Sequence, residues 1–148
     1  MVLDLKELNK RIPYKHFKME NFEQAIRLIN AGNYLASVDL RHAYYSVKKA
    51  VEQQKFLCFK WKNTVYQFTH LPNGISEGPR LFTKLIKPVF ANLRERGYSI
   101  TSFIDDTSIC NDSLSGCLAC ITDTIDLLQE LGFCINKEKS VLIPTRKI

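Results

Sequence analysis

The sequence predicts an α+β sandwich, an antiparallel sheet with long helices on one face. Segments 80–96 and 114–131 each repeat apolar residues at helical spacing along one stripe, and such a stripe has to be buried against another layer. Around them lie short β-prone runs in the order strand, strands, helix, hairpin, helix, strand, with no repeat, linker or change of composition between them. The 148 residues fit one domain, and 45% hydrophobic with 24% charged residues is the balance of a chain that buries a core.

Asn21, with Gln24 three residues later, reads as a cap opening a first helix in which Phe22, Ala25, Ile26 and Ile29 keep helical spacing and Gly32 gives the stop. Residues 34–39 are β-prone and end on Asp39. The aromatic-rich runs 56–61 and 65–68, parted by Lys62-Asn63-Thr64, predict a hairpin. Leu71-Pro72-Asn73-Gly74 marks a turn. Ser76 is then the expected cap of a helix carrying Leu81, Phe82, Leu85, Ile86, Val89, Phe90 and Leu93 on one face, kinked at Pro88 and stopped at Gly97. Runs 98–104 and 107–110 predict a tight hairpin joined across Asp105-Asp106. The clearest helix places Leu114, Cys117, Leu118, Ile121, Ile125 and Leu128 in one stripe, from a cap at Asp112 or Ser113 to Gly132. Short β-prone pieces follow at 133–135 and 141–143.

A net charge of +6 and a pI near 9.1 point to a polyanionic partner such as nucleic acid, although a modest excess of Lys is common on soluble surfaces too. Five cysteines at irregular spacing argue against a secreted disulfide framework, so the expected location is intracellular, in cytoplasm or nucleus. Cys117 and Cys120 form a C-x-x-C inside a helical stripe, with no second pair and no nearby His; this reads as core thiols rather than a zinc or redox site. No apolar run approaches a bilayer span and the first residues are charged, so no membrane partner is expected.

Adjacent carboxylates at Asp105 and Asp106 repel each other in a β-prone setting. A solvated turn needs only one of them, so a turn and a cation site compete as readings. Asp39 favours the cation, because a strand end beside a hairpin tip can gather three carboxylates. Hard oxygen ligands of that kind suit Mg²⁺, which also takes substrate phosphates.

The order of motifs around these aspartates resembles the reverse transcriptases of retroelements. Val2-Leu3-Asp4-Leu5-Lys6-Glu7-Leu8-Asn9 is similar to a fingers segment, and Val38-Asp39-Leu40-Arg41-His42-Ala43-Tyr44-Tyr45-Ser46-Val47 to the first catalytic-aspartate motif. Leu71-Pro72-Asn73-Gly74-Ile75-Ser76-Glu77-Gly78-Pro79-Arg80-Leu81-Phe82 resembles the template and nucleotide-positioning motif, and Phe103-Ile104-Asp105-Asp106 the aromatic-x-Asp-Asp box. Leu131-Gly132-Phe133 with Asn136 and Lys139-Ser140 is similar to the lysine motif that follows. The wording is nearest to DIRS-type retrotransposons, with Gypsy-type elements next.

The resemblance implies a polymerase palm, a ferredoxin-like or RRM-like antiparallel sheet with helices on one face, together with part of the fingers. Residues 1–148 are then one partial reverse transcriptase domain: 1–18 a fingers remnant, and 19–148 mostly palm with a fingers insertion around 50–70. It implies dNTP addition to a primer 3′-hydroxyl on an RNA or DNA template, with two Mg²⁺ ions (Mn²⁺ as substitute) held by Asp39, Asp105, Asp106 and the Leu40 carbonyl. Arg41, His42, Ala43 and Tyr44 are implied to meet the triphosphate through backbone amides, Tyr44 to act as a steric gate against ribose, and Asn73 and Gly74 to border the sugar and template base. A core tyrosine and a plain turn are the bland readings of Tyr44 and of Asn73-Gly74. Lys139 is the candidate that protonates pyrophosphate, with Lys137 or a solvated surface role as its rivals. His42, Asn73 and Phe103 depart from the usual residues of the family. His42, remote in sequence from His16 and His70, reads as local packing or hydrogen bonding. The remaining fingers, the thumb and any RNase H, integrase or recombinase domains are expected outside this chain, which alone is expected not to polymerise. The competing reading is a decayed or domesticated palm that binds nucleic acid without catalysis.

Overall fold

A computed structural model of the chain describes residues 3–146. Met1, Val2, Lys147 and Ile148, and the side chain of Phe22 on its expected stripe, lie outside the described residues. The sheet has β1 (Tyr34–Arg41) at its centre. On one side β1 pairs antiparallel with β5 (Asp106–Asn111), which pairs with the edge strand β4 (Ser99–Phe103). On the other side β6 (Cys134–Ile135) meets the end of β1 and β7 (Val141–Thr145) its beginning. Alternation along β1 sends Ala36, Val38 and Leu40 to one face and Leu35, Ser37 and Asp39 to the other.

The long helices α4 (Gly78–Glu95) and α5 (Leu114–Glu130) cover the Ala36, Val38 and Leu40 face, as the apolar stripes require. Phe82, Ile86, Phe90, Leu93, Cys117, Cys120 and Leu128 are at most 1% exposed there. Both thiols of the C-x-x-C are therefore core groups, and burial pushes the Cys120 thiol up to about 11. Pro88 stands inside α4 without ending it. Three stripe positions differ from expectation: Leu85, Leu114 and Leu118 are 43–47% exposed, because the predicted stripes are wider than the strip of helix that the sheet covers. Leu85 lines a groove of about 910 Å³ beside the carboxyl-terminal half of α5.

Two caps behave as the sequence predicts and one does not. Asn21 and Gln24 form a reciprocal capping box on α2 (Phe22–Leu28), and Ser113 Oγ accepts the Gly116 N–H at the start of α5. Ser76 does not cap α4. Its N–H donates to Asn9 Oδ1, the cap position falls on Glu77 without a side-chain bond, and Pro79 presets the first turn. Segment 20–28 lies along the edge strand β4. There the Ser102 N–H donates to Glu20, Arg94 pairs with the same carboxylate, and the Cys110 thiol reaches the Leu28 carbonyl on the face opposite the long helices. The Ser102 N–H on this edge is thereby occupied.

Residues 48–70 form a side unit whose two ends lie together, Leu71 N–H on Val47, Lys49 N–H on Thr69, and a bridge between Lys48 and His70. Within it, α3 (Val51–Gln54) leads to the hairpin β2 (Cys58–Trp61) and β3 (Thr64–Gln67), turned by Lys62 and Asn63 at positive φ. A second small core of Leu5, Leu57, Leu71 and Ile75 joins this unit to α1 (Lys6–Arg11).

Candidate active site

The β1–β5 register places Asp39 directly opposite Asp106 on the face turned away from the long helices. Phe103 pairs with Asp106, so the β4–β5 turn consists of Ile104 and Asp105; the expected turn at Asp105-Asp106 falls one residue too late. Ile104 sits at φ +56°, a conformation that costs a β-branched residue on the order of 1–3 kcal/mol. The hairpin register and the bond from Leu40 N–H to the Asp105 carbonyl (3.0 Å) hold it there. The register thus pairs Asp39 with Asp106 across the strands and leaves Asp105 in the strained turn.

Asp39 is only 8% exposed. The Asp106 carboxyl is raised above its ordinary range, first by burial and then by the charges of Asp105 and Asp39 and a hydrogen bond its protonated form makes to Asp39, against the pull of Lys139. A raised carboxyl binds its proton more tightly in the fold than in the unfolded chain. The folded state therefore loses stability as pH rises from the ordinary carboxylate range through the raised value, and the loss persists above it. Asp106→Asn is expected to stabilise the cation-free chain at neutral pH by roughly 0.2–1 kcal/mol, the scale of cross-strand charge pairs, and to give no gain in acid. Urea unfolding of both proteins at the two pH values checks this, and equal midpoints at neutral pH would contradict it.

A cleft of about 380 Å³ opens beside these carboxylates, lined by Asp39, Leu40, Arg41, His42, Ala43, Tyr44, Asn73, Asp105 and Lys139, with Ile104 and Asn136. Nine of the predicted site residues are thereby in one place. Gly74 and Asp106 do not line it. Gly74 serves the turn instead, at φ +95°, with its carbonyl accepting Asn9 Nδ2. Tyr44 stands in the 3₁₀ turn Ala43–Ser46, edge-on to Phe82 at 5.8 Å between centroids, and burial followed by the Asp105 charge raises its hydroxyl, which stays protonated. The Tyr44 ring packs on the core, as the bland reading expects, and the residue also lines the cleft. His42 begins the same turn at φ +56° and packs edge-on to Tyr45, which fits the packing reading.

The chemistry of the cleft fits a divalent cation. The carboxylates of Asp39 and Asp105 line it, and Asn136 Oδ1 is buried without a hydrogen-bond partner, an acceptor that a cation or its bound water would satisfy. Among the described residues no three His, Cys, Asp or Glu side chains are gathered as a metal site, so the structure does not form the cluster of three carboxylates that the sequence analysis expects. Asn136 and Ser140 belong to the motif quoted above but were not assigned to the site from the sequence. Their contacts to Asp39 span about a hundred residues, and local spacing carries no sign of them.

The profile of the family described as Reverse transcriptase (RNA-dependent DNA polymerase) matches residues 1–148. The chain belongs to the reverse transcriptase family. It is 28% identical over 151 residues to the Gag-Pol polyprotein of avian reticuloendotheliosis virus, covering 96% of this chain and 13% of that one. It is 25% identical over 139 residues to the transposon Tf2-3 polyprotein of Schizosaccharomyces pombe, covering 94% and 10%. Among solved structures, foamy viral protease-reverse transcriptase in complex with double-stranded DNA matches with a TM-score of 0.84 at 24% identity, over 97% of this chain and 29% of that one. The same enzyme in complex with an RNA/DNA hybrid matches with a TM-score of 0.80 at 22% identity, over 95% and 19%. These likenesses show the α+β fold of a reverse transcriptase. The chain spans about a tenth of the length of its curated relatives.

Proposed function

We propose that this reverse transcriptase domain carries the polymerising centre that adds dNTPs to a primer 3′-hydroxyl on an RNA template, in a protein working inside the cell. The single observation that carries this is the register of β1 on β5, which sets Asp39 opposite Asp106 and leaves it in one cleft with Asp105, Tyr44 and Lys139. Residues 1–18 and the side unit around 50–70 are assigned to the fingers and the rest to the palm; the small core in which Leu5 and Leu57 meet supports grouping the first two.

In this reading the 3′-hydroxyl attacks the α-phosphorus and pyrophosphate leaves. Asp39, Asp105 and Asp106, with the Leu40 carbonyl, would hold two divalent ions, Mg²⁺ or Mn²⁺, whose positive charge would offset what builds on the entering and leaving oxygens. Backbone amides from Arg41 to Tyr44 face the triphosphate, and Asn73 borders the sugar. Lys139 delivers a proton to the departing pyrophosphate. Tyr44 occupies the space a ribose 2′-hydroxyl needs.

The test is extension of a DNA primer on an RNA template with dNTPs and Mg²⁺, by the chain as it stands and by the chain with its flanking coding sequence. Duplex binding without extension in either form would favour the non-catalytic binding module. In the extending form, Tyr44→Ala is expected to retain dNTP incorporation and lose roughly 10–200-fold of its discrimination against ribonucleotides, the range one small group supplies in a pocket. The ratio of kcat/KM for paired dNTP and rNTP substrates measures it, and an unchanged ratio would leave Tyr44 a core residue only.

A further inference from the structure

The turn between β6 and β7 grips Asp39 by both polar groups of its backbone. The Asp39 N–H donates to Ser140 Oγ at 2.9 Å, the Ser140 hydroxyl donates to the Asn136 carbonyl at 2.7 Å, and the Asn136 N–H donates to the Asp39 carbonyl at 2.8 Å. The same Asn136 carbonyl accepts the N–H groups of Lys139 (3.2 Å) and Ser140 (3.0 Å), which closes the turn that carries Lys139. Lys139 and Asn136 both line the cleft with Asp39 and Asp105.

We propose that Ser140 is a positioning residue whose hydroxyl ties the turn bearing Lys139 to the backbone of Asp39, so that the ammonium and the carboxylates keep one arrangement. The position needs a group that accepts from one partner and donates to another at the same time. A hydroxyl does both, and neither Ala nor Val does either. With Asp39 only 8% exposed, its N–H has little water to turn to once the hydroxyl is gone. The tie itself rests on this geometry; its service to phosphoryl transfer rests on the polymerase reading above.

The experiment compares ¹⁵N-labelled wild-type chain with Ser140→Ala, Ser140→Thr and Ser140→Val by amide hydrogen exchange and by Mn²⁺ titration. Asp39 N–H is expected to exchange about fivefold to tenfold faster in the Ala and Val variants, the worth of one hydrogen bond, and at the wild-type rate in Thr. Thr and Val match in shape and differ in the hydroxyl, so the comparison stands even if Ala does not fold. Mn²⁺ affinity is expected to fall in the Ala and Val variants and to be restored in Thr. Equal Asp39 exchange in all four proteins, or failure of Thr to restore it, would overturn the proposal. The expected exchange pattern in a chain that binds no Mn²⁺ would support the tie and count against the polymerase reading.

Discussion

Asp105→Asn and Asp39→Asn are each expected to slow primer extension about a thousandfold, close to 4 kcal/mol of transition-state stabilisation, while leaving duplex binding largely intact. The expectation is large because each change removes a full charge from the cluster facing the reacting phosphate. It is specific because the bonds that fix Asp39 and Asp105 are made by their backbones. Asp39 is held through its N–H and carbonyl, and Asp105 through its carbonyl on the Leu40 N–H, so an Asn of the same shape leaves those ties in place. Single-turnover extension and duplex binding by fluorescence anisotropy, run on the same preparations, separate chemistry from affinity. Extension near the wild-type rate by either variant would refute the assignment of these two aspartates.

What the sequence disclosed about this site follows the range of each interaction. The helices were legible because Phe82, Ile86, Phe90 and Leu93, or Cys117, Ile121 and Leu128, repeat within a few residues of each other, and the neighbouring layer only has to exist for the pattern to make sense. The Asn21 and Ser113 caps were legible for the same reason. Ser76 differs because the helix begins one residue later, with Glu77 at the cap position, while Ser76 is tied through its N–H to Asn9, 67 residues away, a contact no local rule reports. Leu85 and Leu118 misled in another way: periodicity shows which residues share a side but not how wide a strip the sheet covers.

The aspartates illustrate the same division. That Asp39 would lie on a strand and Asp105-Asp106 near a hairpin tip could be read locally, although the strand runs on past Asp39 to Arg41, and the motif order then implied their meeting. Which aspartate occupies the turn could not, because it depends on the register of Phe103 against Asp106, and one step of register moves every side chain to the other face. With Ile104 taking the left-handed position, Asp106 becomes a strand residue facing Asp39 across the ladder, where burial first, and then the charges of Asp105 and Asp39, raise its carboxyl. A turn at Asp105-Asp106 would have put both charges at the tip, with no such partner.

Phe82 connects the core to the selectivity of the cleft, and its substitutions are expected to separate the two. The ring is fully buried and stands edge-on to Tyr44 at 5.8 Å and to Phe133 at 6.2 Å between centroids. Phe82→Ala is expected to cost about 3–5 kcal/mol, because the removed ring leaves a cavity between two layers that cannot close over it. Against a total stability of about 5–15 kcal/mol that loss leaves little or no folded chain at physiological temperature. Phe82→Leu keeps most of the volume and is expected to cost on the order of 1 kcal/mol, so the fold survives. What it loses is the edge contact that holds Tyr44 against the cleft, a contact worth about 0.5–1.5 kcal/mol beyond its buried area. A Cβ at Gly78 on the neighbouring side would lie 3.7 Å from the Tyr44 ring, so the wild-type glycine gives the ring little support from there. The loosened tyrosine is expected to yield to a 2′-hydroxyl, and ribonucleotide discrimination should fall in Phe82→Leu by less than in Tyr44→Ala, with dNTP incorporation retained. Urea unfolding measures the first effect and paired dNTP and rNTP kinetics the second. A Phe82→Leu protein with a weakened fold and wild-type sugar selectivity would show that Tyr44 is held by something other than this ring.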